Sequence, residues 1–295
     1  MPASRPVMTV AIVCLAFAAF GCGRDVRTPE QGGSGTSGPL GSQDSGADST
    51  GGGSSPSTGV EACSVVMTDF VEVSDPASAA AYVNVRRFEG GLAIRDWPDE
   101  TLGDSFPCLE EIGYLGLGIY DSDSLRSLEG LETLRSIDGA GIHIGGNSRL
   151  RTLRGLDGLE ETRFLDVFRN GELLEVGLPA IQDLPRMTLG ACLVEGQDAL
   201  EFSNGLEDIG GFESLQTLGE LVVSGQANLR SISSIQRITD NGKGRVVGPV
   251  TFQHNPMLPM EELAGVQAGL SEGSSFFSCG NLNEDATNAC FCAVE

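Results

Sequence analysis

IHIGGNSRL (Ile142–Leu150) and LDVFRNGEL (Leu165–Leu173) share one frame: apolar, any, apolar, two spacers, a polar residue, two spacers, leucine. The frame also fits LGIYDSDSL (Leu117–Leu125), CLVEGQDAL (Cys192–Leu200), LVVSGQANL (Leu221–Leu229) and VTFQHNPML (Val250–Leu258). A weaker first copy, LAIRDW, starts at Leu92. The second apolar residue is Ile94, Ile119, Ile144, Val167, Val194, Val223 and Phe252 in turn, at separations of 25, 25, 23, 27, 29 and 29 residues. Three positions later stand Trp97, Ser122, Asn147, Asn170, Gln197, Gln226 and Asn255, and six positions later leucine follows in all copies but the first. A recurrence at this period marks a stacked repeat.

The L-x-I triplet alternates, so two side chains face inward and the middle one outward, as in a short strand. One such strand cannot cover its own apolar face, but stacked copies make a parallel sheet and a continuous core. The recurring amide stands where the chain turns, and it can bond backbone groups of neighbouring copies as a ladder. After the turn, apolar residues come every third position (Leu125, Leu128, Leu131, Leu134, Ile137), a period that suits extended or 3₁₀-like chain better than α-helix. The expected fold is mainly β: a single right-handed parallel β-solenoid of about seven coils with short capping helices. Ser74-Asp75-Pro76 offers a cap before a helix over Ala77 to Phe88, and Pro259 precedes one over Met260–Ala268. Leu178 to Gly190, with Pro179 and Pro185, and the stretch Asp240–Arg245 break the regularity, and bulges or longer loops are expected at both.

The pattern resembles the receptor L-domain family, carried by GGLAI (Gly90–Ile94), LGLGI (Leu115–Ile119), GAGIHIGGNSRLRTLRGLDGL (Gly139–Leu159) and the later copies. The nearest likeness is to bacterial lipoproteins bearing this domain behind a Gly/Ser-rich tether. The resemblance implies the β-helical fold, a bridge between Cys63 and Cys108 around the N-terminal cap, and no particular ligand.

The segment before the repeats addresses the chain. Arg5 precedes Val7 to Phe20, a 14-residue run with only Thr9 polar, the length of a signal-peptide core and short for a membrane span. Ala19-Phe20-Gly21-Cys22 resembles a lipobox, which implies cleavage before Cys22 and lipid on its sulfur and new N-terminus. Gly23, where inner-membrane lipoproteins often carry Asp, points by the same resemblance to the outer membrane. Ordinary cleavage near Gly21 would instead release a secreted protein. In Gln31–Gly59, 18 of 29 residues are Gly or Ser, a tether reaching roughly 30 Å. The organisation expected is a signal over 1–21, a lipidated and flexible tether over 22–60, and the repeat domain over 61–295.

The chain has 295 residues and a net charge of −23, with Lys243 its only lysine. Residues 61–295 hold 15 positive and 37 negative charges, so the acidity belongs to the repeat domain. Such a balance excludes a phosphate-binding basic face, and no nucleic-acid partner is expected. Six cysteines follow Cys22: Cys63, Cys108, Cys192, Cys279, Cys290 and Cys292, an even set that in an exported chain implies disulfides. Cys279 is expected to pair with Cys290 or Cys292, with Cys192 a buried thiol. Zinc on Cys279, Cys290 and Cys292 is the rival, although the spacing has no CxxC and no nearby histidine.

Catalytic signatures are missing: no H-E-x-x-H, nucleophile elbow or P-loop occurs, and His143 and His254 fall in separate copies. Asn281, Asn283 and Asp285 only faintly echo a calcium loop. No cofactor is expected. The outward positions bring Tyr120, His143, Asp166 and Phe168 together as a candidate binding face, unless loops or Phe276 and Phe277 cover it. The function expected is a lipid-anchored cell-envelope binding or adhesion module without catalysis. Its partners would be the membrane, through the lipid, and an envelope or extracellular protein or glycan. A passive spacer and a carbohydrate-active β-helix enzyme are the alternatives.

Overall fold

The computed structural model describes residues 63–191, 199–240 and 244–281. The signal segment, Cys22, the tether, Cys192, Cys290 and Cys292 lie outside these residues. The chain begins with β1 (Val65–Met67), β2 (Phe70–Val73), α1 (Pro76–Ala79), β3 (Val85–Phe88) and β4 (Gly91–Arg95). It continues through β5 (Glu111–Ile112), β6 (Leu117–Tyr120), β7 (Ser136–Ile137), β8 (Ile142–Gly145), β9 (Glu161–Thr162), β10 (Phe164–Phe168) and β11 (Asp183–Leu189). It ends with β12 (Thr217–Ser224), α2 (Ser233–Asp240), β13 (Arg245–Val246), β14 (Val250–Gln253), α3 (Met260–Ala268) and β15 (Phe276–Cys279).

These strands make two sheets, each with two ends. One has five strands in the order β1-β3-β5-β7-β9; the other has ten, in the order β15-β14-β12-β11-β10-β8-β6-β4-β2 with β13 beside β12. Every strand pair is parallel. This corrects the expectation of a single seven-coil solenoid: the architecture is two parallel sheets of unequal size. The L-x-I triplets write only the larger sheet. Strands of the smaller one run to two residues at Glu111–Ile112, Ser136–Ile137 and Glu161–Thr162, each with one residue buried. A two-residue strand with one inward side chain leaves no alternation to read, so it merges into the period-three stretch around it.

A second correction concerns the fifth frame. The strand between β10 and β12 is β11, not Cys192–Leu200, whose residues 192–198 lie outside the described set. Leu189 takes the inward place expected of Val194, pairing with Val167 and Val223. Pro185 suits this place because β10 begins only at Phe164, opposite Arg186, so the proline stands before that pairing starts. On the other side Gly219 leaves room for the Pro185 carbonyl, which any Cβ there would strike.

The core fills the space behind the triplets. Leu92, Leu117, Ile142, Leu165, Met187, Leu221 and Val250 form one buried row, and Ile94, Ile119, Ile144, Val167, Leu189, Val223 and Phe252 the next. The period-three leucines, including Leu125, Leu128, Leu131 and Leu134, join the same cluster. Each copy therefore supplies apolar side chains from both the strand and the return segment.

Beside the core runs a buried ladder of polar side chains. The backbone N–H of Ser122 donates to Asn147 Oδ1 (3.0 Å), that of Asn147 to Asn170 Oδ1 (3.1 Å), and that of Asn170 to Asn204 Oδ1 (3.2 Å). The series continues from Asn204 to Gln226, from Gln226 to Asn255 and from Asn255 to Asn281. The Nδ2 groups donate to backbone carbonyls, as Asn170 does to Ile144 at 3.1 Å and Asn204 to Val167 at 3.0 Å. Asn204 holds the place expected of Gln197, and Asn281 is a member rather than a calcium ligand in waiting.

The N-terminal cap is shorter than the helix expected over Ala77 to Phe88. Asp75 caps α1 by accepting from the Ser78 N–H (2.7 Å), and Ser78 Oγ accepts from the Asp75 N–H in return. A single 3₁₀ turn, Ala80–Tyr82, follows, and the chain then extends as β3 because Val85 and Phe88 are buried in the core. A disulfide joins Cys63 to Cys108. At the other end α3 runs over Met260–Ala268 after Pro259, as expected, and packs on α2, which the sequence pattern did not disclose. Cys279 is disulfide-bonded.

Candidate binding face

Parallel register lays the outward residues of the larger sheet in rows. Ala93, Gly118, His143, Asp166, Thr188, Val222, Thr251 and Phe277 form the middle row. Arg95, Tyr120, Gly145 and Phe168 form the row beside it. The four residues expected to share this face do so. Thr188 is Asp166's neighbour on the far side, because the strand there is β11.

His143 is held at both ring nitrogens. Nδ1 lies 3.3 Å from Asp166 Oδ2 and Nε2 lies 2.9 Å from the carbonyl oxygen of Ala140. The His143 side chain is 17 % exposed and that of Asp166 32 %, so the pair is partly reachable from solvent. This geometry fixes the imidazole and leaves the carboxylate its remaining acceptor capacity.

The two aromatics lean on bare backbone. A Cβ at Gly118 would collide with the Tyr120 ring, and one at Gly145 with the Phe168 ring. Both glycines are buried, and both rings are half-buried. The Arg95 guanidinium lies 4.5 Å from the Tyr120 ring centroid and also pairs with Glu72 (3.3 Å) and Asp121 (3.9 Å). Burial pushes the Tyr120 phenol up to about 12, with Asp166 and Asp121 adding to the rise and Arg95 opposing it. Tyr120 is therefore a neutral donor throughout the physiological range. The patch thus offers a fixed phenol, a fixed imidazole, a part-exposed carboxylate and an apolar ring.

Phe276 and Phe277 do not cover it. They belong to β15, where Phe276 packs against Phe252 with ring centroids 6.2 Å apart and Phe277 ends the middle row, 42 % exposed. His254 follows β14, four strand spacings or roughly 19 Å along the sheet from His143. Among the described residues no group of three His, Cys, Asp or Glu is close enough to hold a metal ion. No helix among them is long and apolar enough to cross a membrane.

The chain matches no family model, no curated protein and no solved structure. The likeness to the receptor L-domain family therefore stands on the quoted sequence motifs alone.

Proposed function

We propose that the protein is a lipid-anchored envelope module that binds a partner through the outer face of its larger sheet and carries out no chemistry. The observation that carries this reading is the register of β6, β8 and β10, which sets Tyr120, His143, Asp166 and Phe168 together in fixed orientations. Fixed aromatic and polar groups bind with little loss of side-chain entropy. Attachment at Cys22 would put the whole domain on a bilayer, since acyl chains contribute ~0.8 kcal/mol per buried CH₂. The tether between would let the face search the space above the membrane.

Two measurements test the reading. Metabolic labelling with palmitate should mark the wild type and not Cys22→Ala; an unlabelled wild type removes the anchor. Full-length protein should retain a specific component of an envelope fraction or a glycan array, and Phe168→Ala and Asp166→Asn should each reduce retention at least tenfold. If the wild type retains nothing, or both variants retain as much as it does, the protein is a passive spacer instead.

A further inference from the structure

The smaller sheet carries a second concave surface, independent of the face just described. A cavity of about 640 Å³ opens over β3, β5, β7 and β9 and is closed at one side by Gln182, Asp183 and Pro185. Its floor is a row set by register: Arg87, Glu111, Ser136 and Glu161 stand side by side. Backbone hydrogen bonds link the residues just before them, Arg86, Glu110, Arg135 and Glu160, in the same strand-to-strand order. That outer row alternates strictly in sign. The floor row begins the same alternation, but Ser136 occupies the place where the next cation would fall.

The charges around the gap are unbalanced. Arg87 is paired with Glu111 (2.7 Å) and Arg163 with Asp138 (3.0 Å), so both lining arginines are already engaged. Arg135 donates to the carbonyls of Glu132, Leu134 and Gly158. Among the described residues, no ion pair reaches Glu160, Glu161 or Asp183. The cavity is thus lined by two arginines against five carboxylates, with its centre emptied by a serine. Among the described residues no aromatic side chain lines it, which disfavours a ring stacked on its floor.

We infer that this groove docks an extended basic segment of a partner protein, with a Lys or Arg side chain seated over Ser136 between Glu111 and Glu161. Three strand spacings span roughly 14 Å, enough for four residues of extended chain. An extended segment also points every second side chain the same way, so a basic residue at alternate positions meets the carboxylates. A second copy of this chain is a poor occupant, because it carries a net charge of −23. Nucleic acid is repelled for the same reason.

The test uses full-length protein and a fluorescein-labelled eight-residue peptide of alternating Lys and Ser, followed by fluorescence anisotropy in 0.15 M salt. The wild type should bind it and should ignore the matching Glu–Ser peptide. Ser136→Arg, which supplies the missing cation in place, should weaken binding at least tenfold. Glu207→Gln, an exposed change of equal charge on another part of the surface, should alter it less than twofold. The double variant Glu161→Gln/Asp183→Asn keeps side-chain shape and should also lose at least tenfold, which decides the matter should Ser136→Arg fail to fold by circular dichroism. Absence of wild-type binding, binding undiminished in the double variant, or an equal loss in Glu207→Gln would each overturn the assignment.

Discussion

Asn170 shows what one side chain does in this protein. Its Oδ1 accepts the N–H of Asn147, and its Nδ2 donates to the carbonyls of Ile144 and Phe168. It is fully buried, so no water replaces a lost partner. Asn170→Ala should cost about 2–3 kcal/mol in urea unfolding, the price of stranding buried backbone groups. Asn170→Asp should cost more, since it keeps the acceptor, removes the donor and adds a buried charge. Tyr120 gives a residue-scale prediction of a different kind. Its folded pKa of about 12 exceeds the ordinary 10, so the folded state holds the proton more tightly. The stabilisation is fully present below pH 10 and is lost as pH rises from there through 12. Absorbance at 295 nm should show one of the three tyrosines ionising about two units late, and Tyr120→Phe should abolish that step alone.

The turn between strand and ladder is the element on which the repeat depends. Its first residue adopts a left-handed backbone in several copies: Asp96, Asp121, Gly146, Arg169, Gly225, His254 and Gly280. Only glycine does so without steric cost, and for other residues that cost is about 1–2 kcal/mol. Asp121→Gly should therefore be neutral or stabilising by up to about 1 kcal/mol, with loss of the 3.9 Å contact to Arg95 setting the lower bound. Gly146→Ala should destabilise by at least about 1 kcal/mol, because φ is +74° there and its Cβ would meet Asp121 Oδ1 at 2.5 Å. The two variants compared by thermal unfolding separate turn conformation from side-chain contacts. The leucine that closes each turn was legible from the sequence by spacing alone, since Leu125, Leu150 and Leu173 all reach the core. The fifth turn was not. Leu189 and Asn204 are separated by 14 residues where the other copies need two, and CLVEGQDAL offered a false match inside that insertion.

At the scale of the molecule, the disulfide between Cys63 and Cys108 spans a sequence separation of 45 and ties the chain just before β1 to the segment leading into β5. Replacing both by serine should lower stability by about 4 kcal/mol in the chain-entropy estimate, with the loss seen as a fall in the urea midpoint. Arginines on the surface mostly pair with carboxylates one copy away, as Arg86 does with Glu110 and Arg151 with Glu172. Those exposed pairs add little to stability, but they use up much of the positive charge and leave an acidic exterior.

By itself, the sequence determined the larger sheet, the position of its inward rows, the polar ladder over most of its length, and the adjacency of Tyr120, His143, Asp166 and Phe168. All of these follow from local alternation repeated at a near-constant period, and a repeat transmits its register from one copy to the next. Only the tertiary structure decided that a second sheet exists, that β11 displaces the expected fifth strand, and that Ser136 stands in a groove. Each depends on which backbone lies beside which after the chain has turned. Two-residue strands and a proline-containing strand carry too little local pattern to announce that neighbour in advance.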